Sequence, residues 1–466
     1  MNTGGEIAHV TGQLPAKTDR RFGTLGAVLH VRNFRLLWIG QGISVLGDQF
    51  YMIALPWLVL QLTDDALAVG TVLALVAFPR ALFMLVGGAL IDRFSPRNMM
   101  LASDALRLML VTLLTLLILT GNIQMWMLYG FALLFGLAAA FFYPAQPALI
   151  PQLLEEEELQ TGNILTMGTA QLGIFIGPVV AGGLIALLDT GSVQGAAGTS
   201  HTLGIAIAFG VDALSFLVSL VTLWMIRIKT ATGADEAAKQ KEGMFSSIRA
   251  GLVHAWNDYP VRLLIVFFAA IMLLINGPFD VVIPVLSATR FAGGAVAFGI
   301  IMSAFGGGAL LGMVLAGVLP KPPARYIISM ILVVISSMGI AWALLGLVTS
   351  TLIAALLALA LGTANGYIEI MLITWVQKRT PLQMQGRMMS LAMFVTMGLT
   401  PVSTPIAGAL VKLNLTLFLL VTGGLAAALS LVAALYFLAR EKDMTELATH
   451  QAEYVSWTED SNEKGK

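Results

Sequence analysis

The sequence predicts an all-α polytopic membrane protein with twelve transmembrane helices, and three observations lead to this fold class. The chain has 466 residues, of which 58% are hydrophobic and only 11% are charged. Soluble domains carry about 45–50% apolar and about 25% charged residues, so a soluble globular fold is excluded. Twelve spans of about 20 residues need about 240 residues, which this apolar content supplies. Long stretches also lack charged residues, namely 108–154, 291–320, 326–368 and 413–439.

The apolar runs predict helices rather than the strands of a membrane barrel. A barrel strand alternates apolar and polar residues over about ten positions, whereas these runs are continuously apolar with Gly and Ala interspersed. Turn and charge signals between the runs place the span boundaries. The predicted spans are 35–62, 68–91, 99–120, 124–146, 162–188, 203–226, 262–288, 292–319, 326–347, 350–376, 387–411 and 415–439.

The distribution of basic residues predicts the orientation of the spans. With both termini in the cytoplasm, nearly all of the 26 Lys and Arg residues lie in or beside cytoplasmic segments. Only Arg290 and Lys412 lie outside, and Arg80 lies within a span. Because positively charged loops stay on the cytoplasmic side, we expect an even number of spans and two cytoplasmic termini.

The hydrophilic segments divide the predicted spans into two sets of six. The sequence Gly177-Pro178 in span five is echoed by Thr400-Pro401 in span eleven, which indicates a weak internal repeat. Two pseudo-symmetric six-helix bundles with a site between them suit an alternating-access transporter. The predicted organisation is a cytoplasmic N-terminal segment 1–33, a bundle 34–226, a cytoplasmic central loop with an interfacial helix 227–261, a second bundle 262–440 and a cytoplasmic tail 441–466.

Several function classes find no support in the sequence. The chain has no Cys, and none of its five His lies inside a predicted span, so an intramembrane enzyme with a Cys or Ser nucleophile is hard to assemble. There is no His-Glu-x-x-His zinc motif and no phosphate-binding glycine loop. No basic patch with interleaved aromatic residues indicates nucleic-acid binding. We therefore expect no catalytic residues, no metal and no cofactor.

Charged residues inside the predicted spans are the first candidates for function, because a charge near the bilayer centre costs a few kcal/mol. Asp48, Arg80 and Asp212 lie about nine or more residues into their spans, well away from the headgroups at 1.5 Å per residue. Asp280 lies in the outer part of span seven, and Glu369 lies in the inner part of span ten. These five residues form the candidate proton and substrate site, together with the amides Gln49 and Asn365.

A proton-coupled transporter needs a carboxylate that takes up and releases a proton, and Asp48 is our first candidate, with Glu369 second. Arg80 is expected to pair with Asp48 at similar depth, in a pair that either alternates with protonation or simply holds helices together. Asp212 either takes part in transport or hydrogen-bonds a neighbouring helix, and Asp280 is expected near the external mouth. Asp104 and Arg107, one turn apart in span three, are expected to be structural and to reach a cytoplasmic charge cluster.

The cargo predicted from the span composition is lipophilic. Polar residues in the spans are few, whereas Met and Phe number 23 each. Met and Phe form adaptable apolar linings, so a lipophilic, even cationic, compound fits better than a sugar.

Two motifs carry a resemblance to a known family. The loop after span two contains Gly88, Asp92, Arg93 and Arg97 in the pattern of a loop motif of the major facilitator superfamily, where Asp92 with the two arginines can form a cytoplasmic cluster that breaks as the conformation switches. Span five resembles the motif that marks the antiporter branch of this superfamily, through Gly173, Gly177, Pro178 and Gly182. Glycines and a Pro kink there suit close packing at the interface between the halves.

The resemblance extends over roughly 30–440 and is strongest to the bacterial exporter group of macrolide-efflux and enterobactin-export proteins. It implies a functional monomer in a bacterial inner membrane that exports a small organic molecule in exchange for protons, in contact with membrane lipids. A lipid or lysolipid translocase or facilitator without proton coupling is the main alternative. A sensor that has lost transport also stays open.

Overall fold

The computed structural model describes residues 26–84, 95–189, 203–227, 252, 253, 256, 259–320, 323, 326–380 and 382–463. Side chains are described up to residue 439, apart from those of 84, 189, 259, 260, 382–387, 389, 390 and 392. The described chain is helical and contains no strand within these ranges. Eleven of the described helices are long and apolar enough to cross a membrane. The helices of the first half are α1 Arg32–Thr63, α2 Ala66–Met84, α3 Pro96–Leu119, α4 Met125–Leu149, α5 Leu159–Asp189 and α6 Leu203–Met225.

The second half begins with an irregular helix. Helix α7 runs over Tyr259–Ile271, passes through the π-helical turn Met272–Asn276 and continues over Gly277–Arg290. A π-helical turn widens a helix locally and is frequent at functional sites. Regular helices follow: α8 Ala295–Val318, α9 Ile327–Leu345 and α10 Thr351–Arg379.

The last helical segment contains two spans. It extends over Leu382–Glu463, but Asn414 has φ −163° and ψ 104°, which is extended backbone. The apolar part, Met393–Ala439, has 47 residues. A straight helix of that length would measure about 70 Å, more than twice the thickness of the hydrocarbon core. We therefore divide it into α11 (382–413) and α12 (415–463), which confirms the twelve predicted spans within the described chain.

The packing partners of the helices repeat between the halves. In the first half α1 packs on α5, α2 on α4, α3 on α4 and α3 on α6. The corresponding pairs of the second half are α7 with α11, α8 with α10, α9 with α10 and α9 with α12. This correspondence supports two pseudo-symmetric six-helix bundles. The bundle boundaries and the central loop stay predictions, because much of 1–33 and 227–261 lies outside the described residues.

Glycines set the closest helix contact of the second half. Gly308 and Gly312 on α8 face the backbone of α10, and Gly362 and Gly366 on α10 face the backbone of α8. A Cβ atom at any of these four positions would overlap a carbonyl oxygen of the partner helix. Small residues spaced four apart are the usual device for close packing in membranes, where burial of apolar surface does not drive association.

The two halves meet along two helix pairs, α5 with α8 and α2 with α11. We call the end of the bundle with the α1–α2 and α11–α12 connections the distal end, and the opposite end the terminal end. At the distal end the Nζ atom of Lys412 lies 2.7 Å from Oδ2 of Asp65. One turn into α2, Gly70 packs against the backbone of Thr404. The halves are therefore in contact at the distal end.

Candidate functional site

A buried ion-pair network lies in the first half and centres on Arg107 of α3. Its guanidinium is 2.5 Å from Oδ1 of Asp104 and 3.9 Å from Oδ1 of Asp48, and its side chain is only 3% exposed. The hydroxyl of Ser219 donates to Oδ2 of Asp104 at 2.6 Å. The amide of Gln41 donates in turn to the Ser219 hydroxyl at 3.1 Å. The network thereby joins α1, α3 and α6.

Two aromatic rings pack against the guanidinium of Arg107. Its Cζ atom lies 4.3 Å from the centroid of Phe142 and 4.5 Å from that of Phe216. Cation–π contacts of this kind are strongest where water is excluded. Arg107 is therefore held beside Asp104. Its contact with Asp48 is longer and is the one that can break without exposing the buried Arg107–Asp104 pair.

A cavity of about 420 Å³ opens beside this network. Asp48 and Arg107 form part of its wall together with Gln49, Arg80 and Asp280. Phe279 and Phe305 from the second half close one side. We call this space the first-half cavity. It brings four of the predicted site residues together: Asp48, Gln49, Arg80 and Asp280.

Arg80 lies over an aromatic ring and not against a carboxylate. Its Cζ atom is 5.1 Å from the ring centroid of Tyr143, and its Nε atom is buried without a hydrogen-bond partner among the described residues. It lines the first-half cavity together with Asp48 and Asp280. Arg80 thus shares this cavity with two carboxylates, one from each half of the protein.

These contacts correct two expectations. Among the described ion pairs, Asp48 is joined to Arg107 and not to Arg80. Asp104 and Arg107, expected to reach a cytoplasmic charge cluster, are buried at 0% and 3% exposure. The physical reason is that α3 begins at Pro96, which places Arg107 about three turns into the helix. The sequence did contain a signal for this contact. Asp104 and Arg107 form an i, i+3 pair deep within a span, where a further charged partner is expected.

Asp212 lies behind the cavity and does not line it. The side chain is fully buried on α6, and its Oδ2 atom has no described hydrogen-bond partner. The hydroxyl of Ser215 donates to the Asp212 carbonyl at 2.7 Å. Gly47 of α1 lets α6 approach closely at this level, because a Cβ there would overlap the Ser215 hydroxyl. Asp212 is thus held directly behind the segment of α1 that carries Asp48.

A second cavity, of about 520 Å³, lies within the second half. Asn276, Asp280, Asn365 and Glu369 supply charged and amide groups to its wall, and most other lining residues are apolar. The amide of Asn276 donates to Oδ1 of Asn365 at 3.2 Å. Asn276 is the last residue of the π-helical turn of α7, and this hydrogen bond joins the turn to α10. We call this space the second-half cavity.

Asp280 and two phenylalanines line both cavities. Phe279 and Phe305 form the apolar partition, with ring centroids 4.5 Å apart, and Asp280 is the charged residue at this partition. The sequence predicted Asp280 near the external mouth. In the structure it lines both cavities, at the boundary between the halves. Among the described residues, the two cavities are lined by three carboxylates, Asp48, Asp280 and Glu369, and by two basic residues, Arg80 and Arg107. Asp104 and Asp212 are buried in the first half and add two more carboxyl groups outside the cavity walls.

Of the predicted conformational-switch loop, Gly88, Asp92 and Arg93 lie outside the described residues. Arg97 is described, and its guanidinium donates to the carbonyl oxygens of Leu223 at 2.9 Å and Trp224 at 2.7 Å. These carbonyls end α6 and would otherwise lack helical partners. Arg97 therefore ties the beginning of α3 to the end of α6.

The antiporter-like residues of α5 serve two different contacts. Gly173 and Gly177 face α1, where Cβ atoms would meet Val45 and Gln49. Pro178 and Gly182 face α8 of the other half, close to the backbone of Gly299. Next to Pro178, the backbone N–H of Val179 donates to the hydroxyl of Ser303 at 2.9 Å, which adds a hydrogen bond between the halves.

Comparison with known proteins identifies the family. The model of the Major Facilitator Superfamily matches residues 37–405. Macrolide efflux protein A of Streptococcus pyogenes is 22% identical over 315 residues, which cover 67% of this chain and 73% of that protein. The multidrug efflux pump Tap of Mycolicibacterium fortuitum is 24% identical over 372 residues, covering 78% and 85% of the two chains.

Solved structures share the fold at low sequence identity. The nucleoside transporter NupG superposes with a TM-score of 0.61 at 13% identity, covering 87% of this chain and 98% of that one. A bacterial homologue of the iron transporter ferroportin, in an inward-facing state, gives a TM-score of 0.64 at 15% identity, with coverage of 87% and 98%. At these identities the likeness concerns the fold alone.

Proposed function

This chain belongs to the Major Facilitator Superfamily, and we propose that within it the protein is a proton-coupled exporter of small lipophilic compounds that works by alternating access. Members of the family are transporters and not enzymes, so the chain is an integral membrane transporter of small molecules. Its coupling ion, its direction and the chemistry of its cargo are the proposed parts.

The excess of carboxylates around the two cavities is the observation that carries proton coupling. Arg107 faces Asp104 and Asp48, while Arg80 faces Asp48 and Asp280 without an ion pair to either among the described contacts. Ionising every carboxylate here would leave uncompensated negative charge in a low-dielectric environment. Protons, or a cationic substrate, restore the balance. Asp48 is the proposed proton carrier, because it faces a cavity and its contact with Arg107 is the longest of the network.

The closed distal end supports a cytoplasm-facing conformation. The distribution of basic residues predicts that both termini are cytoplasmic, which makes the distal end external. Of the two basic residues there, Lys412 binds Asp65, and Arg290 donates to the carbonyl oxygen of Gly346 and the hydroxyl of Thr416. An exporter in this conformation would receive cargo from the cytoplasm or inner leaflet. Rocking the halves about α5 and α8 would then open the distal end.

The cargo proposal rests on the cavity walls and on the relatives. The second-half cavity is lined by residues such as Phe268, Met272, Phe305 and Met338. Adaptable apolar walls with few polar groups suit lipophilic compounds of varied shape. Two of the similar proteins are named as efflux proteins for macrolides or several drugs, which favours export of a drug-like or siderophore-like compound over lipid translocation.

Transport in proteoliposomes under an imposed pH gradient tests the proposal. A proton-coupled exporter concentrates a lipophilic test compound against its gradient, and Asp48→Asn abolishes this uphill transport. Glu156→Gln, a carboxylate-to-amide change at an exposed position far from both cavities, serves as the control. A protein that only equilibrates compounds, or that moves lysolipid equally well with Asp48→Asn, would be a facilitator or lipid translocase.

A further inference from the structure

The two cavities differ in their charge balance. The walls of the first-half cavity combine Asp48 and Asp280 with Arg80 and Arg107. The walls of the second-half cavity contain Asp280 and Glu369, and no Lys, Arg or His is among the lining residues whose side chains the structure describes. No described basic side chain forms an ion pair with Glu369. Within the described side chains, the second-half cavity is therefore the more electronegative of the two, and a cationic ligand or a proton would balance its charge.

The remaining wall of the second-half cavity is suited to an organic cation rather than a metal ion. Three aromatic rings, Phe268, Phe279 and Phe305, line it beside aliphatic and Met side chains. An apolar wall solvates a hard metal ion poorly, but it buries the hydrocarbon of an organic cation, and ring faces attract its charge. The hydrogen-bonded amides of Asn276 and Asn365 add a polar edge at the level of the π-helical turn.

Asp280 connects this cavity to the ion pairs of the first half. It lines both spaces, and Arg80 on α2 of the other half lines the first-half cavity together with it. Arg80 makes no described ion pair with a carboxylate, and its Nε atom is buried without a partner. Arg80 can therefore act on either Asp48 or Asp280, which line the same cavity.

We propose that the second-half cavity binds an apolar organic monocation at Glu369, and that the bound cation competes with Arg80 for the carboxylate of Asp280. Neutralisation of Asp280 by the bound cation leaves the charge of Arg80 free to act on Asp48 in the first half. Cargo binding in one half thereby favours the deprotonated form of the proton carrier in the other. The inference rests on the proposed exporter function and names both the charge of the cargo and the residue through which the two halves communicate.

Equilibrium binding to the purified full-length protein in lipid nanodiscs tests the cation site. The probes are tetraphenylphosphonium, an apolar monocation, and triphenylphosphine oxide, an uncharged compound with similar rings. Glu369→Gln is expected to weaken tetraphenylphosphonium binding about tenfold or more, because a charge partner is lost, and to leave binding of the oxide within about twofold. The matched control Glu156→Gln should change neither. Equal weakening of both probes, or no weakening, overturns the cation site.

A second variant tests the competition at Asp280. If Arg80 competes with the cation, then Arg80→Gln tightens tetraphenylphosphonium binding about threefold or more without changing that of the oxide. Asp280→Asn in the Arg80→Gln background should remove this gain. Unchanged or weaker tetraphenylphosphonium binding by a folded Arg80→Gln variant overturns the sharing of Asp280. These measurements need no proton gradient, so failure of proton coupling and failure of the cation site give different results.

Discussion

Nη1 of Arg107 lies 3.9 Å from Oδ1 of Asp48, while Nη2 of the same guanidinium lies 2.5 Å from Oδ1 of Asp104. One cation thus bridges two helices with a short and a long contact. The short contact lies within α3 and is buried on both sides, and Ser219 links it to α6, whereas Asp48 faces the first-half cavity. Protonation of Asp48 would loosen the long contact and leave the short one intact.

Removal of Arg107 is expected to destabilise the protein strongly. Arg107→Met leaves Asp104 buried without its cation, and breaking a buried pair from one side costs about 3–5 kcal/mol. The apparent thermal unfolding midpoint of the purified protein should fall, and adding Asp104→Asn should restore part of the loss. Arg80→Met is the matched control and should cost clearly less, because Arg80 makes no described ion pair. An equal fall of the unfolding midpoint in Arg107→Met and Arg80→Met would contradict a stabilising role of the Arg107 ion pairs.

Closure of the distal end is expected to depend on the absence of a side chain at Gly299. A Cβ there would overlap the carbonyl oxygen of Pro178 across the interface between the halves. Gly299→Ala should therefore favour opening and increase the labelling of a cysteine introduced at Gln49 by an impermeant maleimide added from the distal side. The chain has no natural Cys, so this label is unique.

Gly183→Ala provides the control for that measurement, because nothing lies within 4 Å of a Cβ built there. It lies on α5 beside Gly182, so any general effect of an added methyl on this helix would appear in both variants. Labelling that rises equally in the two variants, or in neither, would show that close packing at Gly299 does not hold the distal end closed.

The ion pair between Lys412 and Asp65 is expected to make distal closure sensitive to acid. The hydrogen bond from Lys412 lowers the pKa of Asp65 in the closed form. Its contribution to closure is therefore fully present above the ordinary Asp pKa of about 3.9 and is lost as the pH falls through the lowered value. Because only the thiolate reacts, labelling is divided by that of an exposed reference cysteine at each pH. The corrected distal labelling should be constant near neutral pH and rise only in strong acid.

Replacement of the carboxylate tests this contribution. Asp65→Asn should raise distal labelling at neutral pH by no more than about fivefold, since an exposed pair contributes about 0–1 kcal/mol, and should remove the acid response. Asp64→Asn is the control: Asp64 has φ 48°, a conformation that Asn adopts readily. An unchanged acid response with Asp65→Asn would assign the effect to another group.

The sequence predicted the axial depth of the charged residues better than their partners. Charge-free runs and turn signals located the twelve spans, including the break near Asn414. The number of residues from the span ends placed Asp48 and Arg80 at a similar depth in the membrane. Whether Arg80 or Arg107 contacts Asp48 depends, however, on how α2 and α3 are rotated about their axes. Hydrophobic periodicity defines that rotation poorly where a helix is apolar on every side.

The unpredicted rotation of helices about their axes also explains why the sequence did not assign the contacts of the α5 glycines or the position of Asp280. The spacing of Gly173, Gly177, Pro178 and Gly182 predicted close packing, but it could not assign two of them to α1 and two to α8. Asp280 reaches the partition between the cavities because the π-helical turn ending at Asn276 precedes it on α7, and no sequence pattern predicted that turn.

The central claim, exchange of cargo for protons through Asp48, is tested most directly by proton movement. Proteoliposomes that hold a pH gradient and an interior pH dye receive lipophilic cations, macrolides, siderophores or lysolipids, with Asp48→Asn and Glu156→Gln measured in parallel. We expect compound-dependent proton movement in the parent and in Glu156→Gln, and none in Asp48→Asn. Compounds that cross without proton movement, at the same rate in the parent and in Asp48→Asn, would contradict the antiport account.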